Sequence, residues 1–243
     1  LIPHTQLEDS ILFDRPNNSL LSSLNSSSSS SGIIAEFKRR SPSKSEINQS
    51  LNVFDVAVGY EKAGASGMSI LTDQKYFGGS IEDLIIGRSS CTLPILRKEF
   101  IIDPYQIIEA KAFGADVILL IAAVLDKKII KNLSILAKSL NLEVILEVHN
   151  KEELQNNIMP SLDIIGVNNR DLKTFKINLN LSEELSDFIP NEFLKISESG
   201  ISNVEVIKKL KLFGYKGFLI GENFMKSNNP GDYASKFINN LKK

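Results

Sequence analysis

Several residue types that would announce a secreted, metal-dependent or membrane-bound protein are scarce in this sequence. Among 243 residues there is one cysteine, Cys91, so an internal disulfide is impossible and a reducing, cytoplasmic setting is expected. The two histidines, His4 and His149, lie far apart, and neither sits in a ligand-like cluster with cysteine or acidic residues, so no metal is expected. No apolar stretch approaches the roughly 20 residues that cross a bilayer. The start of the chain also lacks a basic region followed by an apolar one, so neither export nor insertion is expected. Charge of one sign is missing too. Lys and Arg number 28 against 29 Asp and Glu, with no like-charged run to suit a nucleic acid or an anionic membrane. These absences leave a small molecule as the expected partner and no cofactor as a requirement. A monomer is expected, with an oligomer left open. The sequence starts at Leu1 rather than at methionine, which leaves the natural N-terminus open.

What is present is a series of short apolar runs, most of which end in a charged or hydrogen-bonding residue. Examples are Ile33 to Lys38, Leu93 to Lys98, Val144 to Glu147, Ile164 to Asn168 and Lys195 to Gly200. Strands that are apolar along their length and polar at the carboxyl end suit a buried parallel sheet with one working rim. Strands are expected near residues 33–38, 67–72, 93–98, 116–121, 142–147, 163–168, 194–198 and 217–220. The intervals leave room for a crossover helix. Asp103-Pro104 opens one helix and Gly114 closes it; Ser202 to Glu205 has capping-box spacing ahead of a helix that Gly214 ends. Gly64 ends the pattern from Val53 to Lys62, and the amphipathic stretch Ile129 to Leu140 reads as an outer helix. Eight alternations, without a Gly-rich first turn, favour a (β/α)8 barrel over an open doubly wound sheet. The expected organisation is an arm over residues 1–32 and a barrel over 33–243. In the arm, Leu7 to Phe13 suits a short helix, while Ser22-Ser23 and the run Ser26 to Ser31 read as flexible.

Alternation brings Glu36 and Lys38, Lys98 and Phe100, and Asn168 and Arg170 onto shared faces. Any one of these charges has a plain alternative as a solvated strand end. Many strands ending this way together point to a catalytic rim, where buried charges must pair or shift their pKa. Glu198-Ser199-Gly200 and Gly221-Glu222-Asn223 follow the last two strands, where loops of this fold commonly cradle phosphate; ordinary turn geometry is the alternative for either glycine alone. His149, two residues past Glu147, is read as a solvated loop residue, with a proton relay as the less favoured alternative. Cys91 reads as a bystander before the third strand.

The segments Ile34 to Ser43, Leu93 to Ile101, Gly166 to Leu172 and Ser197 to Ile201 together resemble the ordered motifs of the indole-3-glycerol phosphate synthase family, over about Ile33 to Met225. The resemblance implies a lyase of tryptophan biosynthesis. It would close, decarboxylate and dehydrate 1-(2-carboxyphenylamino)-1-deoxyribulose 5-phosphate to indole-3-glycerol phosphate, carbon dioxide and water. It implies Lys98 as the acid that protonates the ketone oxygen, with Glu147, Lys38 and Glu36 sharing the later proton transfers. Asn168 and Arg170 would hold the substrate's carboxylate and hydroxyls, and Glu198 would position the catalytic groups. Ser199, Gly200 and Gly221, with Lys38 or Ser41, would bind phosphate; Phe77, Phe100 and Leu119 would wall the aromatic ring. Where many of the family carry a small hydroxyl residue this chain has Glu222, whose N–H can donate while its carboxylate must turn from the dianion. The family's helical N-terminal extension covers the barrel mouth, and the serine run departs from it. The nearest competing readings are a phosphosugar isomerase, which would want a cysteine at the first strand, and a non-catalytic phosphate-binding sensor. A metal-dependent epimerase would need histidines on early strands.

Overall fold

The computed structural model describes residues 2–26 and 30–242. Eight parallel strands close into a barrel in sequence order: β1 (Ile33–Phe37), β2 (Gly67–Leu71), β3 (Ile95–Lys98), β4 (Val117–Ile121), β5 (Glu143–Val148), β6 (Ile164–Asn168), β7 (Leu194–Glu198) and β8 (Tyr215–Ile220). Ile34 of β1 faces Leu219 of β8, which completes the ring. Every strand falls within two residues of its expected position, and the fold is the expected (β/α)8 barrel.

The helices are α1 (His4–Glu8), α2 (Leu20–Asn25), α3 (Val53–Ala63), α4 (Gln74–Phe77), α5 (Ile81–Ser90), α6 (Pro104–Ala112), α7 (Lys127–Ser139), α8 (Lys151–Asn157), α9 (Asn180–Ser186), α10 (Val204–Leu212), α11 (Glu222–Met225) and α12 (Pro230–Leu241). Asp103 and Gln106 form the capping box that starts α6. At α10 the capping residue is Asn203, which accepts from the Val206 N–H, not Ser202. The register is therefore one residue later than the Ser202-to-Glu205 spacing suggests, because the Asn203 carboxamide satisfies the exposed donor equally well.

Alternation along the strands divides the apolar residues into two cores. Ile33, Ala35, Met68, Ile70, Ile118, Leu120, Val144, Leu146, Ile165 and Val167 face outward under the helices. Ile34, Leu96, Val117, Leu119, Ile145, Ile164, Ile196 and Leu219 fill the inside. The next inward positions, towards the carboxyl ends, are Glu36, Lys98, Glu147, Asn168 and Glu198, so one layer of the interior is polar.

The arm departs from expectation in two ways. The first helix lies at His4–Glu8 rather than over Leu7 to Phe13, and packs on α6, where Ser10 Oγ donates to the Ala112 carbonyl at 2.7 Å. Ser22 and Ser23 belong to α2, so that pair is helical. The course of the arm, left open by the sequence, is to the end of the barrel opposite the carboxyl ends of the strands. Leu20 and Leu24, one turn apart, enter the inner core beneath Gly67 and Gly217. The chain is tied there because Glu143, at the start of β5, accepts the Leu20 and Leu21 N–H groups at 2.9 and 3.1 Å. Fully buried Asp116 is matched by Arg15 at 2.6 Å and Arg88 at 2.9 Å. Of the serine run expected to be flexible, residues 27–29 lie outside the described residues, while the Ser30 and Ser31 hydroxyls meet the Ser66 hydroxyl at 3.0 and 3.2 Å.

Since Leu20 is 1% exposed, Leu20→Ala should cost about 2–5 kcal/mol of stability. Urea unfolding should show that loss while turnover of the folded fraction is unchanged.

Candidate active site

At the carboxyl ends of the strands opens a cavity of about 660 Å³. All fifteen residues singled out from the sequence line it: Glu36, Lys38, Ser41, Phe77, Lys98, Phe100, Leu119, Glu147, Asn168, Arg170, Glu198, Ser199, Gly200, Gly221 and Glu222. At its centre the Lys98 ammonium donates to Glu147 Oε2 at 3.0 Å and to Glu198 Oε2. The preceding residue shows the effect of period-2 geometry: Arg97 points outward, to Glu109 at 2.7 Å and the Gln106 carbonyl at 2.8 Å. On β1, Glu36 accepts from Ser69 Oγ at 3.3 Å and pairs with Lys38 at 2.7 Å.

Glycines make room for two of these carboxylates. A Cβ on Gly221 would stand 2.4 Å from Glu36 Oε1, and one on Gly166 would stand 2.6 Å from Glu198 Oε1. Sequence reading missed Gly166 in this role, although its place two residues before Asn168 on an inward face was a usable signal.

The charges are unequal in their surroundings. Burial acts to lower the Lys98 pKa, but Glu198, Glu147 and Glu36 outweigh it, and the ammonium is held above its ordinary range. Burial pushes Glu147 upward, yet Lys98 and His149 hold it well below the usual carboxylate range. Burial raises Glu198, Lys98 lowers it, and the like charges of Glu147 and Glu36 leave it at about 7. His149, expected in solvent, has a side chain only 10% exposed and stands 3.3 Å from both Glu147 and Glu153. Burial lowers its pKa, but the two carboxylates raise it to about 9.

Towards one side the rings of Phe77 and Phe100 lie 6.2 Å apart, with Tyr76 6.3 Å from Phe100 and Leu119 buried below. β3 ends at Lys98, so Phe100 reaches the cavity from the loop, not by sharing a strand face with Lys98. On the other side Ser199 and Gly200 are consecutive residues with positive φ, 66° and 79°, and line the cavity together with Gly221. Asn169, which sequence reading passed over, fixes this turn by donating to the Glu198 and Ser199 carbonyls at 2.9 and 3.2 Å.

Arg170 reaches the Phe175 carbonyl at 3.1 Å and stands 4.0 Å from Glu222. Glu222 also meets Lys226 at 2.8 Å and Lys44 at 3.8 Å, cations that the sequence reading did not place here. The i,i+4 spacing of Lys226 was a readable signal; Lys44, in an irregular loop, offered none. Cys91 is buried and donates to the Gly87 carbonyl, away from the cavity. No cluster of three or more metal-ligating side chains occurs among the described residues.

A buried ammonium, three glutamates and an amide gathered at the mouth of a barrel are groups of the kind that enzymes of this fold use to move protons. Comparison with known proteins is more specific. The family model for indole-3-glycerol phosphate synthase matches residues 2–237. The indole-3-glycerol phosphate synthase of Bacteroides thetaiotaomicron is 49% identical over 211 residues, covering 87% of this chain and 81% of the relative. That of Aliarcobacter butzleri is 44% identical, covering 86% and 80%. A tryptophan synthase α-subunit from Pyrococcus furiosus superposes with a TM-score of 0.64 at 14% identity, over 87% of this chain and 98% of that one, and shows the fold alone. The chain belongs to the indole-3-glycerol phosphate synthase family.

The electrostatics generate a prediction. Lys98→Met leaves Glu36, Glu147 and Glu198 facing one another without their shared cation, at a cost of about 3–5 kcal/mol near pH 8. Glu198, already raised to about 7, would lose the cation that lowers it and would favour the folded state when protonated, so the deficit should shrink as pH falls from about 8 towards 5. Urea midpoints across that range check the direction.

Proposed function

We propose that Lys98, Glu147, Lys38, Glu36 and Asn168 carry the chemistry of this site and that the remaining lining residues hold the substrate. The reaction is that of the family. The chain is a carboxy-lyase acting on a phosphorylated small molecule: it converts 1-(2-carboxyphenylamino)-1-deoxyribulose 5-phosphate to indole-3-glycerol phosphate, carbon dioxide and water. Attack of the carboxyl-bearing ring carbon on the ketone develops negative charge on the ketone oxygen. The Lys98 ammonium, 3.0 Å from Glu147 and kept charged by its neighbours, gives that oxygen its proton. Loss of carbon dioxide restores the aromatic electron pair. Dehydration then removes a proton from carbon and expels the hydroxyl as water; Glu147 is suited to accept the first, and the Lys38–Glu36 pair to supply the second.

Asn168 and Arg170 face the substrate's hydroxyls and carboxylate, with Arg170 exchanging its Phe175 and Glu222 contacts for the anion. Glu198 positions Lys98. Phe77, Phe100 and Leu119 wall the aromatic ring, and Ser199, Gly200, Gly221 and the Glu222 backbone, with Ser41 and Lys38, receive the phosphate. The Glu222 carboxylate is compatible with a dianion because Lys226 and Lys44 offset its charge. The division of labour that this reading assigns is an arm, 1–32, that seals the lower end and a barrel, 33–243, that carries the site. The enzyme is taken to act as a monomer in the cytoplasm; no helix among the described residues is long and apolar enough to cross a membrane.

The observation that carries the reading is the ammonium of Lys98 between Glu147 and Glu198, all three lining one cavity. Mixing protein and substrate should release carbon dioxide together with indole fluorescence. Lys98→Ala should lose most turnover and keep substrate affinity within about tenfold. Binding without indole in the wild-type enzyme would favour a sensor, and isomer without gas an isomerase.

A further inference from the structure

His149 lies behind the cavity lining and touches only one of the two glutamates that hold Lys98. Its Nε2 stands 3.3 Å from Glu147 Oε1, within ion-pair range though not aligned as a hydrogen bond, and its Nδ1 stands 3.3 Å from Glu153 Oε2. A neutral imidazole carries one N–H, so a ring with a carboxylate at each nitrogen is matched on both sides only as imidazolium. The ring is anchored from behind: Glu153, in the first turn of α8, also accepts the His149 backbone N–H at 2.8 Å, and its other oxygen accepts from Asn150 at 2.7 Å.

Glu198 is placed differently. Lys98 satisfies one of its oxygens, while buried Oε1 has no hydrogen-bond partner and lies over Gly166. A buried carboxylate oxygen without a donor is costly, whereas the neutral acid tolerates it. Around the pair, β3 contributes Lys98, β1 contributes Glu36 and Lys38, β6 contributes Asn168, and α8 contributes Glu153. Glu147 therefore faces Lys98 and the His149 ring, while Glu198 faces Lys98 alone with Glu36 as an added like charge; the two glutamates repel each other equally.

We propose that His149 is a positioning residue that breaks the symmetry of the two glutamates around Lys98: paired with Glu147, it keeps that carboxylate ionised as the proton acceptor and leaves the proton on Glu198. This rests on the reading of Glu147 as acceptor and adds what sets its protonation state. The pKa values run the same way, with Glu147 held low and Glu198 near 7. The consequence is a division of roles at neutral pH. Glu147 is ready to take the substrate's carbon-bound proton, Lys98 remains an ammonium, and Glu198 holds Lys98 without competing for the same proton.

Proton NMR of the imidazole C–H signals tests this in the full-length wild-type enzyme, where only His4 and His149 contribute and His149→Gln assigns the pair. His149 should titrate near 9; a midpoint at or below about 6.5, the unperturbed value, overturns the proposal. Turnover gives a second readout. His149→Gln keeps an amide in place of the ring but no charge, and should move the acidic limb of the kcat profile upward by about one pH unit with KM within about threefold. A limb that does not move, even with kcat lowered uniformly, would mean a merely structural role and overturn the proposal. Glu153→Gln should lower the His149 midpoint by about one unit, and an unchanged midpoint counts against it. Imidazole titration is read without turnover, so its failure is distinguishable from failure of the acceptor assignment, which is read from the activity of Glu147→Gln.

Discussion

One buried ammonium organises this molecule's working end. Lys98 lies inside the barrel between Glu147 and Glu198, with Glu36 near enough to add to its field. Charges so buried are tolerated only when mutually compensated, since an isolated one would change protonation state or unfold its surroundings. Each member therefore constrains the others. Lys98 and His149 hold Glu147 below the usual carboxylate range, burial and the like charges of Glu147 and Glu36 raise Glu198, and the carboxylates keep Lys98 above its ordinary range.

The rest of the fold can be read as support for that cluster. Apolar side chains fill the inner barrel below it, from Ile34 to Leu219, and α2 closes the lower opening with Leu20 and Leu24. Above it the loops divide the cavity by chemistry, with aromatic rings from Phe77 and Phe100 on one side and the Ser199–Gly200 turn with Gly221 on the other. In the proposed reading a substrate with an aromatic acid at one end and a phosphate at the other lies across this mouth with its ketone over Lys98.

Much of this was legible in the sequence because parallel strands in a closed barrel are largely apolar on both faces until their carboxyl ends, where the inward positions turn polar. Glu36, Lys98, Glu147, Asn168 and Glu198 occupy that layer, and each was visible as the polar end of an apolar run. Contacts made through loops were less legible. Phe100 enters the cavity from outside its strand, Lys44 reaches Glu222 from an irregular segment, and His149 is enclosed by Glu147 and Glu153 although its local sequence reads as exposed. The arm was misjudged for a compositional reason. Serine suggests flexibility, yet Ser22 and Ser23 lie on a helix whose Leu20 and Leu24 are buried, and four-residue leucine spacing was the signal that mattered.

The account's central claim is that Lys98 delivers its proton to the ketone oxygen of a substrate whose phosphate rests on the Ser199, Gly200 and Gly221 backbone. The most direct measurement is a crystal structure with a substrate analogue in which the ketone is reduced to an alcohol. The account predicts the Lys98 ammonium within hydrogen-bond reach of that hydroxyl, about 3 Å, with Glu147 beside it and the phosphate on the three-residue cradle. An analogue bound with its hydroxyl beyond the reach of Lys98, or with its phosphate at another edge of the barrel, would contradict it.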